Sequence, residues 1–402
     1  MHCTRKINDS ITWVGSSDRR LSLFENLFPI TRGVSYNSYV INDEKTALLD
    51  TTDSSVSAQF IENVYYALNG RKLDYLIVNH MEPDHCANIA EILLRFPEVQ
   101  IVGNVKTFNF MKQFFADLDL EGKTIVVKEG DSLSLGEHNL SFYFAPMVHW
   151  PEVMVTYDEK DKILFSADAF GTFGALNGHI FNDEVDFDRD WLDDARRYYT
   201  NIVGKYGAQV TAALKKLSAL EINMICPLHG PVWRTDIAYL MDKYVHWSSY
   251  EPEDKTVVIF YASMYGDTEN AANIMATKLA EAGVRNLAVY DMSNTDVSQM
   301  ISECFRCSHI VFAAPTYNGG IYPKALSLLH DMKALNVQKR TIGLIENGTW
   351  APSCAKQVRG LLEEMKQMEI LEPVVTIKSA LNEASLEKLE ELKDSIVASL
   401  EK

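Results

Sequence analysis

The chain predicts two successive α/β domains: two sheets packed face to face with helices outside over residues 1–250, then a doubly wound five-stranded parallel sheet over residues 251–402. Three observations carry this. Short β-rich runs recur from Ile11 to about Phe165 with few long helical stretches among them. A polar, proline-containing stretch, Trp247-Ser248-Ser249-Tyr250-Glu251-Pro252-Glu253-Asp254-Lys255, then interrupts the pattern. Beyond it apolar strands alternate with helices, the order that a parallel sheet covered on both faces requires.

At 402 residues the chain is too long for one ordinary domain and long enough to bury two cores. The N-terminus, Met1-His2-Cys3-Thr4-Arg5-Lys6, has basic residues but runs into Ile7-Asn8-Asp9-Ser10 without an apolar signal core. Nowhere do eighteen apolar residues follow one another, so the chain is expected to stay in the cytoplasm, off the membrane. A net charge of −17 argues against nucleic acid and anionic lipid, since phosphate binding needs a local excess of Lys and Arg.

In the first domain the runs Val34–Ile41, Thr46–Leu49, Tyr75–Val78, Thr124–Val127, Leu140–Phe144 and Val153–Tyr157 read as strands. Trp191–Leu220 reads as helical, and Ile222–Cys226 as one more buried strand. In the second, Thr256–Tyr261, Leu287–Tyr290, His309–Ala314, Thr341–Ile345 and Val374–Ile377 give the five strands. The six cysteines are scattered and are expected to be reduced. Cys304 and Cys307 have CxxC spacing, but they precede an apolar run with no second pair nearby, which reads as core packing.

The most informative segment is Val78-Asn79-His80-Met81-Glu82-Pro83-Asp84-His85-Cys86-Ala87, between a strand and a helical pattern. In extended chain His80 and Glu82 project to one side, while Asp84 and His85 sit at the turn into the helix. One ion could hardly use all four; two could divide them. Downstream, His149, Asp168 and His229 each end an apolar run, where a strand delivers a side chain to a site. Together these are four histidines and three acids, enough for two three-ligand positions sharing a carboxylate. The remaining histidines, His2, His138, His179, His246, His309 and His330, read as packed or surface residues.

This pattern is similar to that of the metallo-β-lactamase-fold diiron domain of flavodiiron proteins, also called A-type flavoproteins, which implies an αββα sandwich. The resemblance implies His80, Glu82 and His149 on one iron, Asp84, His85 and His229 on the other, and Asp168 bridging them. Hydrolytic members of the fold usually carry His where Glu82 stands. A carboxylate there adds hard anionic oxygen, which suits iron. Tyr198 resembles a tyrosine that in the family hydrogen-bonds to bound substrate, a position for general-acid chemistry; helix packing is the competing reading.

In the second domain Tyr261-Ala262-Ser263-Met264-Tyr265-Gly266-Asp267-Thr268 follows the first strand and opens a helix. Small and hydroxyl residues there let N–H and O–H groups surround a phosphate. Without the lysine of a nucleoside-triphosphate loop, a ligand with one terminal phosphate, such as FMN, fits better than ATP. The expected contacts are Ser263, Met264, Tyr265, Gly266 and Thr268, with Asp267 as a departure because its charge would repel phosphate. Two further strand-end loops, Pro315-Thr316-Tyr317-Asn318-Gly319 and Asn347-Gly348-Thr349-Trp350, lie where ligands of such sheets bind. The three loops together resemble flavodoxin.

The fusion implies electron transfer from FMN to the diiron site, with O2 reduced to water, NO to N2O, or both. Four electrons for O2 match two ferrous ions plus one FMN hydroquinone. The resemblance further implies a head-to-tail homodimer, or a dimer of such dimers. About 150 residues after the linker leave room for a single domain, so electrons are expected from a separate donor, rubredoxin or a reductase. The alternatives are a dizinc hydrolase with an accessory flavodoxin-like module and a non-enzymatic electron carrier.

Overall fold

The computed structural model describes residues 2–401. Contacts divide the chain into two compact units that part between Val245 and His246, within the helix Ile237–Ser249. The polar stretch that marks the change in sequence begins only as that helix ends.

The first unit holds two sheets. One runs Arg5–Lys6, Ile11–Trp13, Tyr39–Asn42, Thr46–Leu49, Tyr75–Ile77, Gln100–Gly103, Thr124–Val126, in the same order in space as in the chain. Its first four strands pair antiparallel and the rest parallel. The other runs Ser132–Ser134, Asn139–Phe144, Met154–Asp158, Ile163–Phe165, Met224–Cys226, with only the last pair parallel. Alternation within strands separates two cores, as the period of two requires. Ala47, Leu49, Ile77 and Val102 meet Leu140, Phe142, Met154 and Phe165 between the sheets. Leu48, Leu76 and Ile101 point the other way, onto Phe60, Val64, Ile92 and Met111 of helices on the outer face.

Two details differ from the sequence reading. The run Val34–Ile41 is not one strand: Val34–Tyr36 pairs with Ser16–Asp18, and Tyr39–Asn42 enters the large sheet. Buried Asn37 causes the break. Its amide donates to the carbonyls of Pro227 and Gly230, both at 2.9 Å, so the chain turns towards a distant loop. Substantial helices, Ser57–Leu68 and Val105–Phe114, also lie among the strands, the second capped by Asn104 accepting from Lys106 and Thr107 N–H.

The second unit is a parallel sheet in the order Ala288–Asp291, Asp254–Tyr261, Cys307–Tyr317, Arg340–Asn347, with Met368–Ile370 and Val375–Ile377 sharing the fifth position. The fifth strand is interrupted around Pro373, which has no N–H to donate. Cys304 and Cys307 are buried in the core, and all six cysteines are free, only Cys3 being exposed. Among the described residues no helix is long and apolar enough to cross a membrane.

Candidate dinuclear metal centre and flavin cradle

Four strand-end segments of the first unit converge. The strand Tyr75–Ile77 leads to His80 and Glu82, and Pro83 starts the short helix Pro83–Cys86, which carries Asp84 and His85. His149 lies just before Met154–Asp158, Asp168 just after Ile163–Phe165, and His229 just after Met224–Cys226. The structure gathers all seven. His80, Glu82, His149 and Asp168 form one group of ligand atoms within 4.8 Å of one another, and Asp84, His85 and His229 form a second.

Within the first group Glu82 Oε2 lies 3.2 Å from His80 Nε2 and 2.9 Å from His149 Nε2. In the second, Asp84 Oδ2 lies 3.3 Å from both His85 Nε2 and His229 Nε2. Asp168 spans them. Its Oδ2 is 3.2 Å from His149 Nε2 and 3.6 Å from His80 Nε2, while its Oδ1 is 3.0 Å from His85 Nε2.

Glu82 is satisfied by His80 and His149, but other atoms of the set are not. Both oxygens of Asp84 and Oδ1 of Asp168 are buried without a hydrogen-bond partner. The Nε2 atoms of His85 and His229 face each other at 3.1 Å. Buried carboxylates lacking donors are costly, and a cation between the groups relieves that cost, so the donor set fits a pair of metal ions. Burial works against charge on the imidazoles, but the carboxylates outweigh it: His80 is raised well above its ordinary value, and His85 and His149 to about 9. Burial likewise opposes the charge on Glu82 and Asp168, yet the imidazoles hold both carboxyls below the usual range. A metal ion entering here displaces protons from the rings.

Several supporting residues are absent from the sequence-based set. Asp50 accepts from Asn79 N–H at 2.7 Å and His80 N–H at 3.1 Å, fixing the loop that presents His80. Glu152 Oε1 accepts from His80 Nδ1 at 2.7 Å, and the Ser35 carbonyl from His229 Nδ1 at the same distance. No local signal marks Glu152, an acid just ahead of the strand Met154–Asp158, as a partner of His80. Glu25, on the exposed tip of the hairpin Leu23–Phe24 and Phe28–Pro29, brings its carboxyl beside Glu82; loss of water from around the carboxyl and that like charge push it up to about 8.

Tyr198 reaches the same site. It is fully buried, its ring centroid 5.4 Å from that of His229, and its hydroxyl has no partner. By contrast, the grouping of His138 with Asp158 and Asp161 is internally satisfied, since His138 Nδ1 meets Asp158 at 3.0 Å and Nε2 meets Ser10 at 2.8 Å. No ring nitrogen is left there for an ion.

In the second unit the three strand-end loops surround a cavity of about 490 Å³, lined by Ser263, Met264, Tyr265, Thr268, Pro315, Thr316, Tyr317, Asn318, Gly319, Asn347, Gly348 and Trp350. Gly266 is not in the lining. It sits at φ +100° at the start of the helix Asp267–Glu281, with no side-chain cap there, and its N–H donates to Ser263 Oγ at 3.0 Å. An uncapped helix start with a hydroxyl beside it fits a phosphate group. Asp267 does line the cavity, as does Ser379, which the sequence reading missed.

Two of the expected contacts have other partners as well. Asn347 is paired with Ser379 through both ends of its amide, at 2.9 and 3.0 Å, so it positions a loop. Thr316 Oγ1 accepts from Ser353 and Cys354 N–H. Tyr265 is 94% and Trp350 90% exposed, leaving aromatic faces available for stacking on a flat ring.

Comparison with known proteins agrees with both halves. Residues 34–230 match the model of the ODP family of β-lactamases, and residues 259–391 match that of flavodoxin. The anaerobic nitric oxide reductase flavorubredoxin of Aliivibrio salmonicida is 32% identical, over 90% of this chain and 72% of its own length. Among solved structures, rubredoxin oxygen:oxidoreductase from Desulfovibrio gigas superposes with a TM-score of 0.92 at 28% identity, covering 99% of this chain and 98% of the other. The flavodiiron protein of Giardia intestinalis gives 0.91 at 25% identity with the same coverage.

Proposed function

Since this chain belongs to the flavodiiron proteins, we propose that it reduces O2 to water, NO to N2O, or both, at a non-haem diiron site fed by FMN. The observation that carries this reading is Asp168, whose two oxygens each face a separate set of imidazoles. We assign metal chemistry to residues 1–250 and flavin chemistry to residues 251–402. His80, Glu82 and His149 would hold one iron and Asp84, His85 and His229 the other, with Asp168 between them. When bound, the irons supply Lewis acidity and electrons to the gas, and FMN replenishes those electrons.

The chain's own residues do the rest. Phe24 packs edge to face and Tyr198 at a tilt on His229, and Phe173 packs edge to face on both of those rings, shielding that side from water. The Tyr198 hydroxyl is the donor for substrate oxygen, because it is buried beside His229 with its proton committed to no other group. Ser263, Met264, Tyr265 and Thr268 would hold the flavin phosphate, with Gly266 shaping the turn between them, and the loops at Thr316, Tyr317, Asn318, Gly319 and Trp350 would hold its ring.

The setting is a cytoplasmic head-to-tail homodimer, or a dimer of dimers, taking electrons from a separate protein such as rubredoxin. A monomer with full turnover would refute the dimer. The main test is anaerobic: count iron and FMN per chain, reduce the protein chemically, and compare steady-state O2 and NO consumption. Two irons, one FMN and consumption abolished by His85→Ala or Asp168→Ala are expected. Two zinc ions with no flavin and ester or thioester hydrolysis would establish a dizinc hydrolase instead. FMN with no gas consumption would establish an electron carrier.

A further inference from the structure

The diiron reading gives the two halves of the centre like donors, each with two imidazoles and one carboxylate plus a share of Asp168. Behind the imidazoles they are unlike. His80 is fully buried, and its Nδ1 lies 2.7 Å from Oε1 of Glu152, a carboxyl 1% exposed. The same oxygen accepts from Met81 N–H at 2.9 Å, and Oε2 has no partner. On the other half, His229 Nδ1 has only the Ser35 carbonyl, at 2.7 Å, and His85 Nδ1 has no partner. A carboxylate thus hydrogen-bonds an imidazole of one half directly, whereas on the other half the only direct partner is a carbonyl, with the buried Asp50 carboxyl acting on His85 through space alone.

Glu152 is held in place by the chain around it. Asn104 donates from its side-chain amide to the Glu152 carbonyl at 2.6 Å, and the same Asn104 caps the helix Val105–Phe114. With Nε2 given to a metal, the His80 ring proton sits on Nδ1 and is shared with Glu152. That makes the imidazole a stronger electron donor and favours the more oxidised metal. In a buried site the effect is weakly screened.

Resting on the diiron reading above, we propose that Glu152 is a positioning residue that makes the two halves unequal. With iron bound, the first electron of a stepwise reduction would go to the ion held by Asp84, His85 and His229. The second would enter the ion held by His80, Glu82 and His149 at a more negative potential, because Glu152 backs His80. Each electron comes from the added reductant and converts one ferric ion to ferrous; no bond forms or breaks, and the proton stays between His80 Nδ1 and Glu152 Oε1.

The test is an anaerobic reductive titration of the full, iron- and FMN-loaded protein, followed by electron paramagnetic resonance and 57Fe Mössbauer spectroscopy. Two separate one-electron midpoints are expected, with one ferric and one ferrous doublet in the half-reduced state. Glu152→Gln keeps an oxygen acceptor and removes the charge, so it should raise the more negative midpoint, leave the other in place and weaken iron binding roughly tenfold to a hundredfold. Glu152→Asp keeps the charge and should preserve the separation. Equal movement of both midpoints, movement of neither, or Asp behaving like Gln overturns the proposal. If Glu152→Gln loses iron, Glu152→Asp decides: iron retained with the two midpoints still separate upholds the proposal, iron retained with the separation lost overturns it, and loss of iron from both variants, with FMN retained, indicates packing and overturns it. A wild-type chain carrying zinc and no iron overturns the diiron reading itself, and the proposal with it, at the metal count that precedes the titration.

Discussion

Tyr198 combines two properties that ordinary packing does not explain. Its ring is held edge to face by Phe173 at 5.2 Å, yet its buried hydroxyl has no partner. An unmet buried hydroxyl costs about 1–3 kcal/mol, so Tyr198→Phe should hold or raise the melting temperature. Turnover should fall roughly a hundredfold or more, the lower reach of a positioned proton donor. Thermal melts with steady-state assays decide it: full turnover would remove the donor role, and a destabilised variant would show that the hydroxyl has a structural partner.

His309 makes a second residue-scale prediction, in the flavodoxin-like unit. It is 6% exposed, with Nδ1 2.8 Å from Ser308 Oγ and Nε2 unpartnered; burial and then the charge of Lys255 push it down to about 4. The folded ring stays neutral where the unfolded one, titrating near ~6.5, takes up a proton. Stability is therefore lost as pH falls from about 6.5 towards 4. His309→Asn should flatten that dependence, by less than the limiting ~1.4 kcal/mol per pH unit for one proton. Urea unfolding followed by flavin release at several pH values measures it; an unchanged slope would show that His309 is not the group responsible.

At the scale of elements, the turn carrying His229 is the most constrained part of the centre. Gly230 adopts φ +74°, and a Cβ there would lie 2.1 Å from Thr172 Cγ2. Its N–H donates to Ser35 Oγ at 2.7 Å, and its carbonyl accepts from Asn37. Gly230→Ala adds about 1–2 kcal/mol of left-handed strain to that clash, so the turn must shift and carry His229 away from Asp84. Iron should fall towards one per chain while FMN is retained, read by metal analysis and flavin absorbance. Two irons in the variant would mean that the turn yields without moving His229.

The same turn shows what the sequence could disclose. His80, Glu82, Asp84 and His85 were legible because ligands crowd a strand-to-helix junction, and His149, Asp168 and His229 because each follows an apolar run. Strand-end position is a local property that survives folding. Asn37 was not legible as a strand breaker, because its partners are the carbonyls of Pro227 and Gly230, nearly two hundred residues away. Glu152 and Asp50 escaped for the same reason: each reads as a solvated acid until the fold buries it against His80. In the flavin unit the loops were plain from strand order, whereas Ser379 enters only by pairing with Asn347.

On the scale of the whole molecule, the first unit buries acidic side chains beside one another in a chain already at −17. Asp84, Asp168 and Glu152 each hold at least one buried oxygen without a donor, a penalty that bound cations offset. Metal is therefore part of this unit's stability. A ligand present at a thousandfold over its dissociation constant contributes about 4 kcal/mol. For a domain of this size each kcal/mol moves the melting point by roughly 2–4 °C, so anaerobic chelation should lower melting of the first unit by roughly 8–16 °C. The flavin unit has its own core, built on Val257, Ile259, Val311 and Ile345, and binds no metal in this scheme. Its loss of flavin, followed by fluorescence in the same heating scan, should stay where it was. If complete removal of iron leaves the first transition unmoved, the buried carboxylates are stabilised by something other than metal, and the dinuclear reading of Asp84 and Asp168 fails with it.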